Sequence, residues 1–105
     1  MNNDEGGGVT ARVIEYFDAC RKNAKKATLV KLLGFVDFQD RVIPSVRQIN
    51  AALEQLPSVR VARTDGFVRF TSSGIERRIT EQDMDIAYAR YRQIFGGKIR
   101  PSLVK

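Results

Sequence analysis

Apolar residues recur at steps of three and four from about Thr10 to Lys25: Val13, Phe17, Cys20 and Ala24, with Ile14 beside them. That spacing predicts a helix with one apolar face. Thr10 is placed to cap its start, and Lys22, Lys25 and Lys26 crowd its end, where cations suit the helix dipole. A second, shorter helix is expected from Thr28 to about Phe35 on Leu29, Leu32 and Leu33, with Thr28 as N-cap and Gly34 as the C-terminal stop. Val36–Ile43 reads either as an irregular loop or as an extra half-turn of helix. In it Phe38, Val42 and Ile43 can be buried, while Asp37, Gln39, Asp40 and Arg41 look like a turn. Pro44 suits the first turn of a third helix. Its buried stripe is Val46, Ile49, Leu53 and Leu56, which leaves Ser45, Arg47, Gln48, Asn50, Ala51 and Glu54 on the other faces, and Pro57 ends it.

The period then changes from about 3.6 to 2. Val59–Arg63 alternates, as does Phe67–Thr71, and the Asp65-Gly66 pair between them is a strong hairpin signal. Ser72-Ser73-Gly74 breaks the second strand, and Ile75–Ile79 fits either a helical turn or a short strand. A last helix follows from about Glu81 to Phe95. Thr80 and Asp83 resemble a capping box with the shorter acid, and Met84, Ala87, Tyr88, Tyr91, Ile94 and Phe95 make a wide apolar face. Gly96-Gly97 closes that helix. The expected organisation is an acidic, glycine-rich flexible tail over 1–8, one α+β domain over 9–95 and a short basic tail over 96–105.

Composition narrows the chemistry. The chain has 105 residues, 43% hydrophobic and 29% charged, as an ordinary globular domain does. Eighteen Lys and Arg against twelve Asp and Glu give a net charge of +6. With no histidine there is no imidazole base, shuttle or metal ligand, and the single Cys20 excludes an intramolecular disulfide and a multi-cysteine zinc site. Cys20 lies on the first helix's stripe as a packing residue. Asp83 with Asp85 is explained by helix N-terminal electrostatics. No phosphate loop or nucleophile elbow is present, so no enzyme, no metal and no cofactor is expected. The acidic N-terminus is unlike a signal peptide, and no apolar run approaches the roughly 20 residues that span a bilayer. The expected location is cytoplasmic, on the nucleoid if the source is bacterial.

Helix, short helix, helix, hairpin, helix over Thr28–Phe70 and its flanks resembles the winged helix-turn-helix superfamily. The resemblance implies a recognition helix over Pro44–Leu56 in the major groove, with a wing over Val59–Phe70. In that reading Ser45, Arg47, Gln48 and Asn50 face bases, Arg47 as a guanine reader and the two amides as adenine readers. Lys25, Lys26, Thr28 and Lys31 meet the phosphate backbone near the second helix, and Arg60, Arg63 and Arg69 on the wing touch the backbone or enter the minor groove. Residues 21–50 carry seven basic and two acidic side chains, so the positive excess peaks there. The nine residues Phe35–Ile43 exceed the usual three- or four-residue turn between the second and recognition helices. Phe17, Phe67, Phe70, Tyr88, Tyr91 and Phe95 fit apolar stripes, and Tyr16 is the aromatic expected to be freest, so a base-stacking surface for single strands is disfavoured. The expected function is a sequence-specific double-stranded DNA-binding regulator, dimeric through its first and last helices. The alternative is a winged-helix protein–protein module without DNA binding.

Overall fold

A computed structural model describes residues 8–95. The expected tails at 1–7 and 96–105 lie outside the described residues. Helix α1 runs Gly8–Lys22, and strand β1 is the two-residue Ala27–Thr28. Helices α2 (Leu29–Asp40) and α3 (Val46–Glu54) follow, then β2 (Arg60–Thr64), β3 (Phe67–Thr71) and α4 (Glu81–Phe95). β3 lies between β1 and β2 and pairs antiparallel with both, giving a three-stranded sheet of order β1-β3-β2. The described helices include none long and apolar enough to cross a membrane.

Several helix ends differ from the pattern read along the chain, each for a local reason. α1 begins at Gly8, so Thr10 is a buried residue of its first turn and not its cap. Val9 extends the apolar stripe one turn upstream, and its burial draws that turn into the helix. At the other end α1 stops at Lys22. Ala24 turns left-handed at φ 52, and the N–H of Lys25 donates to the Cys20 carbonyl at 2.8 Å. That is the Schellman arrangement, with alanine where glycine is usual.

α2 is longer than expected. Gly34 sits inside it and does not end it; it is the point where the Tyr91 ring approaches the helix, and an added Cβ would lie 3.3 Å from the ring's Cε1. The helix continues through the stretch read as a loop and ends after Asp40, where Arg41 turns left-handed at φ 60 and donates its N–H to the Asp37 carbonyl. Asp37 faces inward and accepts the Tyr91 hydroxyl at 2.9 Å, whereas Phe38 is 71% exposed, the reverse of the expected assignment. The connection to α3 is therefore the five residues Arg41–Ser45. Pro44 is buried ahead of that helix. Ser45 is the N-cap, in a capping box in which Ser45 accepts the Gln48 N–H at 3.1 Å and Gln48 accepts the Ser45 N–H at 2.9 Å.

The hairpin forms as its turn residues dictate. Asp65 and Gly66 both take positive φ, 54 and 83, which suits the right-handed twist of the flanking strands. Val61 and Phe70 pair across it and face the core. Beyond β3, Glu76 bridges the free edge of β2 at Val61, and Ile79 is buried. The cap of α4 is reciprocal, as its sequence implies: Thr80 accepts the Asp83 N–H at 3.1 Å, and Asp83 accepts the Thr80 N–H at 2.8 Å.

α2 is the centre of the packing. Leu29, Leu32, Leu33 and Val36 are fully enclosed, and α2 packs against α1, α4 and β3. α1 also packs on α3. Tyr16, expected to be free, is buried and clamps β1: its hydroxyl accepts the Thr28 N–H at 3.2 Å and donates to the Thr28 carbonyl at 3.4 Å. Burial raises its pKa above the usual phenol value.

Candidate nucleic-acid interface

Apart from Lys31, the basic residues proposed from sequence fall in three places, with Arg69 shared between the first and the third. The first is a cleft of about 720 Å³ between the end of α1, the turn into β1, the end of α3 and β3. Phe17 and Phe70 are among its lining residues, with ring centroids 4.8 Å apart. Arg21, Lys25, Lys26 and Arg69 line it, with a single carboxylate, Asp18, which Arg21 reaches at 3.2 Å. The β1–β3 register, Ala27 opposite Phe70 and Thr28 opposite Arg69, carries Lys25 and Lys26 to Arg69 across more than forty residues of chain. Four basic side chains against one carboxylate make the electrostatic potential of this wall positive. Thr28 itself is committed as the N-cap of α2, accepting the Lys31 N–H at 3.1 Å. Lys31 lies elsewhere, on the rim of a second, apolar groove of about 500 Å³ between α2 and α4 that includes Phe35, Phe38, Tyr91 and Phe95.

The second place is α3. Arg47 is exposed in its first turn, and Ser45 and Gln48 are engaged in the capping box. Asn50 is not on an outer face. It is 7% exposed, donates to the Ile79 carbonyl at 3.0 Å and accepts the Ile79 N–H at 2.8 Å. Both ends of its amide are thus occupied by the main chain before α4, and it has no edge to offer an adenine. Asn50 therefore holds the main chain at Ile79 and does not take the base-reading role expected from its position in the helix. The outward stripe of α3 is Arg47 and Glu54, continued by the C-cap residue Gln55, with Ala51 half-buried.

The third place is the hairpin, where every proposed arginine has an intramolecular partner. Arg60 donates to the Pro57 carbonyl at 3.1 Å, and Arg69 to the Thr64 hydroxyl at 3.1 Å. Arg63 grips Asp83 with two nitrogens, at 2.8 and 2.6 Å, and reaches Glu76 at 2.7 Å. The Arg63 guanidinium, helped by the Thr80 N–H and hydroxyl and opposed by burial, holds the Asp83 carboxyl below its ordinary pKa. This bidentate pair ties the hairpin to the first turn of α4. The hairpin tip also meets that helix, since a Cβ on Gly66 would lie 3.8 Å from the Ile86 side chain.

Reading the sequence alone overlooks Arg77 and Arg78, which are exposed on the segment that Asn50 anchors. Their signal is an adjacent basic pair just after a Ser-Ser-Gly turn, within a stretch whose pattern fits two structures. Comparison with protein-family models, with curated proteins and with solved structures gives no match to this chain.

Proposed function

We propose that this chain is a DNA-binding domain of the winged-helix kind, with α3 as its recognition helix. More particularly, we read it as a small dimeric regulator that occupies a specific double-stranded site. The observation that carries the reading is the order of its elements. A helix, a short strand, two helices joined by five residues and a hairpin that pairs back to the short strand as β1-β3-β2 is the succession winged-helix domains use. The exposed Arg47 near the N-terminus of α3 is then the base reader, since that end of a recognition helix lies nearest the bases. Lys25, Lys26 and Arg69 supply phosphate contacts from one wall.

Electrophoretic shift of fragments flanking the gene, repeated across salt, tests this. Specific complexes should form and weaken steeply with salt, and Arg47→Ala should weaken specific binding by about 1–3 kcal/mol. Absence of any complex at low salt overturns the reading. The exposed Phe38, Ile94 and Phe95 on α2 and α4 favour a second reading in that event, a module that docks on a protein partner.

A further inference from the structure

The geometry points to the segment between β3 and α4, and not the hairpin tip, as the arm that enters the DNA minor groove. Ile75 would press against a base step, with Arg77 and Arg78 beside it. This rests on the DNA-binding reading above and names the surface and groove it leaves open.

The hairpin is poorly equipped for that role. Arg63 spends its guanidinium on Asp83 and Glu76 and holds the hairpin to α4, the tip carries the acidic Asp65, and Arg69 faces the basic cleft instead of the tip. The following segment has the opposite character. Arg77 and Arg78 are exposed, and neither has a hydrogen-bond or ion-pair partner among the described residues. Ile75 is 88% exposed, the most exposed of the large hydrophobic side chains described. Glu76, the segment's one acid, is turned to Arg63 at 2.7 Å, and the segment carries two basic side chains against that one carboxylate.

The segment is also held in place. Val61 donates its N–H to the Glu76 carbonyl at 2.8 Å, and Asn50 closes two hydrogen bonds on Ile79. Gly74 passes so close to β2 that a Cβ there would sit 2.6 Å from the Val61 carbonyl oxygen. An arm fixed at both ends loses little conformational freedom on binding. Asn50 lies one helical turn after Arg47, so the arm is fastened to the helix that carries the base reader. Arginines are drawn to the negative potential of a narrow minor groove, and an exposed aliphatic side chain is the wedge that groove admits.

Fluorescence anisotropy on a labelled specific duplex, across potassium chloride concentrations, provides the test. Arg77→Ala/Arg78→Ala should weaken binding on the order of tenfold to a hundredfold and reduce the log–log salt slope by about 2, as two lost cationic contacts require. Netropsin, which fills the minor groove of A·T tracts, should compete with the unmodified chain and have little effect on the double variant. Ile75→Ala should leave the slope unchanged and reduce the bend reported by end-to-end energy transfer. Circular dichroism confirms that the variants fold. If the unmodified chain binds no duplex, both readings fall. If it binds and the double variant keeps its affinity, slope and netropsin sensitivity, this inference alone is overturned.

Discussion

Asn50 and Asp83 are the two buried side chains on which the approach to α4 depends. Asn50 satisfies the N–H and C=O of Ile79 together, so Asn50→Ala strands two buried main-chain groups. At about 1–2 kcal/mol for each lost bond, urea unfolding should show a loss of about 2–4 kcal/mol. Arg47→Ala should leave stability nearly unchanged, as expected for an exposed position. Asp83 adds a pH dependence. Because its pKa is lowered in the folded chain, the unfolded chain takes up its proton first on acidification. The stabilisation is complete above the ordinary aspartate value of about 3.9 and fades as pH falls through the lower folded value. Asp83→Asn should therefore cost about 1–3 kcal/mol at pH 7, the worth of its charged hydrogen bonds, and the gap should narrow towards pH 2. A gap that stays constant from pH 7 to pH 2 would assign the stability to packing instead of charge.

At the scale of elements, the packing of α4 on α2 is set by one small residue. Gly34 lets the Tyr91 ring approach, and the ring is held there by its hydroxyl bond to the enclosed Asp37. Alanine at 34 gains roughly 1 kcal/mol of helix propensity but crowds a ring that cannot withdraw without breaking that bond. Gly34→Ala should therefore stabilise by less than that amount. Gly34→Leu should destabilise by about 1–3 kcal/mol through overpacking and alter the near-ultraviolet tyrosine signal. An unchanged tyrosine signal in the leucine variant would show that α4 is not seated through this contact. The same residues explain what the sequence made legible. The hairpin and the start of α4 follow from neighbours in the chain, Asp65-Gly66 and Thr80 with Asp83, so local pattern was enough. The length of α2 was not legible because Gly34 and Asp37 resemble helix-ending residues until Tyr91, more than fifty residues later, gives each a reason to be helical. Tyr16 and Asn50 differ from their expected exposure for the same reason, since their partners Thr28 and Ile79 lie outside their own helices. Of the proposed interface, Arg47 was visible as an exposed residue of an amphipathic helix. The meeting of Lys25, Lys26 and Arg69 required the β1–β3 pairing, which two residues of strand do not announce.

For the molecule as a whole, the remaining step is how one small domain addresses a DNA site. None of the exposed large hydrophobic side chains among the described residues lies on α1; Phe38 is on α2, and Ile94 and Phe95 are on α4. The proposed two-fold interface accordingly moves from the first and last helices to the α2–α4 side, where Phe38 and Phe95 border the apolar groove. A two-fold dimer that reads two half-sites requires its α3 helices about one DNA turn, ~34 Å, apart. A stable interface buries about 1,200–2,000 Å² in total, and an aromatic side chain seated in a groove is the kind of anchor that dominates such a surface. Light scattering at micromolar concentration should give twice the monomer mass of 11.9 kDa for the unmodified chain. Phe38→Asp should return it to 11.9 kDa, because it sets two carboxylates against an apolar seam. The same variant should lose the advantage of a palindromic duplex over a single half-site while retaining half-site binding, since Arg47 and the basic cleft lie on other elements. A monomer mass for the unmodified chain at 100 μM would exclude the dimer and leave half-site recognition to be achieved by one copy alone.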